Sequence, residues 1–135
     1  MFTFFHKVQY YETDQMRVVH HSNYVKWLEE IRGDWMEAAG IPYHVTEEKG
    51  ILCPVLSVKC NFKYPARYGE TIRIQCKCTF YNSIRFKVEY LMYNPDDMLV
   101  FEGESEHFFT NLDFRPISLA RTDKEMNEIF ASIVE

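Results

Sequence analysis

The sequence predicts an α+β domain, an antiparallel sheet packed around one long central helix, and three patterns predict it. Apolar side chains recur at helical spacing between residues 24 and 35, alternate with polar ones at period two between residues 72 and 80, and the strand-like segments that follow are joined by short turns. Helix and strands are grouped along the chain instead of interleaved, and short connections favour antiparallel pairing. The 135 residues hold no Pro/Gly/Ser-rich linker, so a single domain, 1–135, is expected.

Residues 2–11 are rich in aromatic and β-branched side chains and read as the first strand. A short loop follows, and Ser22 or Asn23 can cap the helix that Tyr24, Trp27, Leu28, Ile31 and Trp35 define until Gly40 and Pro42 stop it. Gly33 inside that helix costs about 1 kcal/mol relative to Ala, which points to close backbone packing against another element. Glu29 and Glu30 mark its wetter side, and the two tryptophans belong to the core. Beyond a loop at Lys49-Gly50, strands are expected at 54–64, 72–80, 84–93 and 99–110, in a meander. Thr122 and Glu125 form a capping-box pattern before Met126, Ile129, Phe130, Ile133 and Val134, an amphipathic helix docked on the sheet.

Composition narrows the function classes. A net charge of -5 without a Lys/Arg-rich run opposes nucleic acid as a partner. No apolar run approaches the ~20 residues of a membrane span, and the residues after Met1 lack a signal peptide's basic start and apolar core, so a cytoplasmic protein is expected. Cys53, Cys60, Cys76 and Cys78 form no C-x-x-C pair and read as reduced core residues. Adjacent His20 and His21 point in different directions and lack H-E-x-x-H spacing, which favours a cap or pocket-lining role; no metal is expected. An aromatic content of 16% suggests that another subunit covers some apolar surface.

The chemistry is concentrated in residues 10–24. Asp14 lies in the loop between the first strand and the long helix, whose start offers unpaired backbone N–H groups and a positive dipole end. A carboxylate beside such an oxyanion site suits acyl transfer. There is no P-loop, dinucleotide glycine fingerprint or G-x-S-x-G elbow to support another chemistry.

Three segments, Tyr11-Glu12-Thr13-Asp14-Gln15-Met16, Val18-Val19-His20-His21-Ser22-Asn23-Tyr24 and Tyr64-Pro65-Ala66-Arg67-Tyr68-Gly69-Glu70, resemble those of hotdog-fold acyl-CoA thioesterases of the 4-hydroxybenzoyl-CoA thioesterase type. The resemblance implies a hotdog fold and hydrolysis of an acyl-CoA or acyl carrier protein thioester, without a cofactor, since CoA is part of the substrate. It implies that Asp14 is the catalytic carboxylate, as nucleophile or general base, and that the backbone N–H at His21 serves the thioester carbonyl. It also implies a homodimer or homotetramer, with the active site at a dimer interface and CoA lying across both subunits. Tyr10 and Tyr24 are expected to border the pocket, and Arg67, Arg85 and Lys87 are candidates for the phosphates of CoA. Relatives usually carry Gly where this chain has Arg17, so either the loop follows an Arg-compatible path or Arg17 lines the pocket and alters substrate choice, by pairing with Asp14 or with an anionic acyl group. The competing readings are a non-catalytic acyl-CoA binding or scaffold protein and a hydratase acting on acyl thioesters.

Overall fold

The computed structural model describes residues 1–135. In chain order the elements are β1 (Phe2–Lys7), a 3-10 turn (Tyr10–Glu12), α1 (His21–Ala38), α2 (Tyr43–Glu48), β2 (Val55–Phe62), β3 (Thr71–Tyr81), β4 (Arg85–Tyr93), β5 (Leu99–Phe108), α3 (Leu119–Thr122) and α4 (Lys124–Ile133). The strands form one antiparallel sheet in the order β1-β3-β4-β5-β2. The expected meander is therefore limited to β3-β4-β5. β2 precedes β3 in sequence but crosses the sheet to pair with β5, with Cys60 opposite Gly103.

Period two in β3 and β4 buries Ile72, Ile74, Cys76 and Cys78 beside Phe86, Val88, Tyr90 and Met92 on one face. Against that face α1 lays Tyr24, Trp27, Leu28, Ile31 and Trp35, all buried, which gives the hotdog arrangement of a helix held by its sheet. Each large apolar side chain so buried contributes about 1.5–3 kcal/mol. No helix is long and apolar enough to cross a membrane.

Several boundaries differ from the sequence expectation for local reasons. β1 ends at Lys7, because Gln9 to Glu12 close into a 3-10 turn in which the Glu12 carboxylate accepts the Gln9 N–H at 2.8 Å. The cap of α1 is His20, whose Nδ1 accepts the Ser22 N–H at 3.2 Å, so Ser22 and Asn23 lie inside the first turn. Asn23 instead donates its side-chain amide to the Glu12 carbonyl at 2.8 Å. Asp123, not Thr122, caps α4 by accepting the Met126 N–H at 3.0 Å, while Thr122 ends α3. Helix α2 fills the stretch between Pro42 and Lys49, to which the sequence reading assigns no element. The tight packing expected at Gly33 is absent: a methyl group there would meet only a Tyr43 ring carbon at 3.6 Å. The close approach is instead at Gly103, where a Cβ would lie 2.5 Å from the Lys59 carbonyl and 2.8 Å from the Phe101 ring.

Candidate active site

The residues before Asp14 are fixed by a buried acid. Glu12 accepts hydrogen bonds from Gln9 N–H (2.8 Å) and Trp27 Nε1 (2.7 Å), and its Oε1 lies 2.7 Å from His6 Nε2. Its carbonyl takes the His20 N–H at 2.8 Å as well as the Asn23 side chain. Burial alone would push the Glu12 carboxyl up, but the hydrogen bonds from His6, Gln9 and Trp27 outweigh it and hold the group below the ordinary carboxylate range. Both ends of the loop that carries Asp14 are thereby tied to the start of α1. Glu12 escapes sequence reasoning because its partners are spread from His6 to Trp27, with no local spacing to reveal them.

Between these anchors Thr13 bridges Val19, Asp14 N–H donates to the Val18 carbonyl at 3.0 Å, and Arg17 N–H donates to the Asp14 carbonyl at 2.9 Å. The resulting tight turn places Arg17 at φ 64°, in the left-handed region. The loop thus keeps a glycine-like backbone angle with an arginine in it, and the Arg-compatible path is not taken. Asp14 is half-buried, and its Oδ1 accepts the Met16 N–H at 2.8 Å, while Oδ2 makes no hydrogen bond within the chain. Arg17 forms no ion pair with it.

At the start of α1, Ser22 N–H is taken by His20 Nδ1 and Asn23 N–H by the His20 carbonyl. His21 N–H has no partner within the chain. Asp14 and His21 line the same cavity of about 290 Å³, walled by Val19, Tyr24, Phe62 and Pro65. On its other side Asp14 borders a larger groove of about 980 Å³, shared with Tyr10, Arg17, Arg67 and Tyr68. Asp14 therefore stands at the junction of an apolar recess and an aromatic, cationic groove. Such a junction can place a carboxylate and a backbone donor on the two sides of one carbonyl group.

Of the residues singled out from sequence, Asp14, His21, Tyr10, Tyr24, Arg17 and Arg67 converge on these two cavities. Tyr24 is buried and stacked on Phe101 (5.4 Å, 6°), and burial pushes its hydroxyl up, so it forms an apolar wall. Arg85 and Lys87 are not brought to the site. They lie on the sheet face away from α1, near the end of β4 remote from Tyr93, and Arg85 pairs with Glu106 at 2.9 Å. Phe62, unmarked in the sequence reading, packs edge-on against His21 and Tyr24. Its proximity follows from β2 crossing to the sheet edge.

Comparison with known proteins places this geometry among relatives. Residues 8–129 match the family described as the thioesterase-like superfamily. The chain is 34% identical to YneP of Bacillus subtilis, provisionally named an acyl-CoA thioesterase, over 85% of this chain and 84% of that protein. It is 25% identical to a 1,4-dihydroxy-2-naphthoyl-CoA hydrolase of Prochlorococcus marinus, over 79% and 75% of the two chains. The crystal structure of a DHNA-CoA thioesterase from Staphylococcus aureus superposes with a TM-score of 0.92 at 29% identity, covering 97% of this chain and 89% of that one.

Proposed function

The chain belongs to the thioesterase-like superfamily, and on that premise we propose that it hydrolyses acyl-CoA thioesters to a free carboxylic acid and CoA. The observation that carries this reading is the sharing of one cavity by Asp14, whose Oδ2 is unengaged, and His21, whose N–H is unengaged. A thioester carbonyl between them meets a carboxylate on one side and, on the other, an oxyanion donor at the positive end of an 18-residue helix.

Asp14 Oδ2 acts in one of two ways. As nucleophile it attacks the carbonyl carbon, the C–S bond breaks, CoA leaves as its thiolate, and water opens the mixed anhydride. As general base it takes a proton from water, whose oxygen attacks while the thiolate departs. In both, charge gathers on the carbonyl oxygen, where the His21 N–H receives it. The chemistry so drawn uses only Asp14, the amide and water.

The groove with Arg17 and Arg67 suits the phosphates of CoA, since guanidinium groups match phosphate geometry, and exposed Tyr10 and Tyr68 offer ring faces beside them. The relatives' names make an aromatic acyl-CoA the first substrate to test. The same site serves an acyl carrier protein thioester if the phosphopantetheine arm alone is gripped. β2 bonds only β5 and exposes Val55, Leu56, Val58 and Phe62 at the sheet edge. A homodimer joined along that edge would cover them and close the site.

Thiol release from short, long and aromatic acyl-CoAs, comparing the protein with Asp14→Asn, tests the reading. Hydrolysis that falls at least ~10²-fold in the variant supports it. Equal release by both proteins, or none from any ester, overturns it and favours a binding or scaffold role.

A further inference from the structure

The core holds a cation whose ordinary partner is missing. Arg32 is 7% exposed, donates from Nη1 to the Tyr90 hydroxyl at 3.1 Å, and has no carboxylate within 4 Å. Tyr90 continues to Ser105 (2.5 Å) and Ser105 to His107 Nε2 (2.7 Å), so the group beyond Arg32 is a chain of neutral polar side chains, not an anion. A buried guanidinium is ordinarily matched by a carboxylate, because removing its charge from water is expensive. The hydroxyl of Tyr43, another neutral group, also hydrogen-bonds the guanidinium. A guanidinium carries five N–H donors, so the two tyrosines leave donors for the cavity of about 390 Å³ that Arg32 and Tyr43 line.

That cavity and the one holding Asp14 share no lining residue, but α1 and β2 each contribute to both. His21, Val25 and Arg32 fall at helical spacing on one flank of α1, and eleven residues separate the first from the last, about 16 Å of helix. Of β2, Phe62 lines the Asp14 cavity and Val55 the Arg32 cavity, with Val58 between them along the strand. Val25, Val58 and Val55 are exposed apolar side chains on these two elements, and the homodimer proposed above would roof Val55 and Val58. Glu29 and Glu47 stand exposed at the Arg32 cavity without pairing with it, which disfavours small anions arriving from solvent over a group tethered in the Asp14 cavity.

We propose that the acyl group runs from the Asp14 cavity along α1 and β2 to Arg32, which selects acyl groups whose far end carries a hydrogen-bond-accepting oxygen, as a carboxylate or a hydroxyl. This rests on the thioesterase reading and adds a specificity determinant remote from the reacting carbonyl. The guanidinium would take a carboxylate through two N–H donors or a hydroxyl through one.

The test uses CoA esters of equal length ending in methyl, hydroxyl or carboxylate. Turnover is measured with the intact protein, Arg32→Met and Arg32→Lys, and calorimetric binding with Asp14→Asn alone and combined with Arg32→Met. The expected result is a preference of at least ~10-fold in kcat/KM for an oxygen-ended ester, as for one good hydrogen bond to a charged group, abolished in Arg32→Met and partly kept in Arg32→Lys. An unchanged preference in a folded Arg32→Met overturns the proposal. So does a variant whose dimer dissociates with preference unaltered, which would make a second copy the source of the counter-charge. If no ester is hydrolysed but Asp14→Asn still binds oxygen-ended esters more tightly in an Arg32-dependent way, the hydrolase reading fails and the Arg32 assignment stands.

Discussion

Asp14 and Arg17 sit on the same tight turn and predict opposite consequences when replaced. In Asp14→Asn the amide oxygen can still accept the Met16 N–H, so the turn survives while the nucleophilic or basic oxygen is lost. We expect unchanged thermal unfolding with at least ~10²-fold slower thiol release, read in the same preparation. Arg17→Gly removes a side chain from a left-handed backbone position, which costs a non-glycine residue about 1 kcal/mol. The variant should unfold at a higher denaturant concentration but show a raised KM for CoA esters, because the groove loses one of its two guanidinium groups. A stability gain with an unchanged KM would mean that Arg17 touches no substrate. At this scale the placement of Asp14 before the helix and of His21 at its start was legible in the sequence because both are local, seven residues apart and set by one loop. Glu12, Phe62 and Arg32 were not, since each acts through partners that only the folded sheet assembles.

Elements read well where periodicity is strong and poorly where pairing is long-range. α1, β3, β4 and β5 announce themselves by their own repeats. The position of β2 does not, because its neighbour β5 begins some forty residues later and nothing within β2 encodes that choice. The two glycines inside regular elements illustrate the same limit. Gly33 is free to gain a methyl group at ordinary contact distance, so Gly33→Ala should stabilise the protein by about 0.5–1 kcal/mol through helix propensity. Gly103→Ala forces a methyl group against the Lys59 carbonyl and the Phe101 ring, and Phe101 in turn stacks on Tyr24. We expect it to destabilise by roughly 1–3 kcal/mol. Paired denaturation curves check both signs.

For the molecule as a whole, pH dependence is set by buried groups. Burial, reinforced by the Arg32 charge, depresses His107 from 6.5 to about 3, so the folded protein keeps it neutral where the unfolded chain binds a proton. Its contribution is complete above about pH 6.5 and is lost as pH falls toward 3, at up to ~1.4 kcal/mol per pH unit. Glu12, held below its ordinary value of 4.5, adds a second loss at the acid end of that range. His107→Gln should flatten the stability profile between pH 6 and about pH 4, measured by urea unfolding; an unchanged slope would mean that His107 does not govern it. Association belongs to this scale too: Leu56→Lys places a charge on the exposed edge of β2 and should shift sedimentation toward monomer, with activity falling in parallel. The strand order β1-β3-β4-β5-β2 also bears on how the protein is born. Both borders of the sheet are translated before any of its centre, so β2 leaves the ribosome with no strand to bond until β5 follows. At ~5–20 residues per second that interval lasts seconds, during which α1 and β2 carry their apolar surface unshielded. Slowing translation within β3 to β5 would lengthen this exposure and lower the soluble yield.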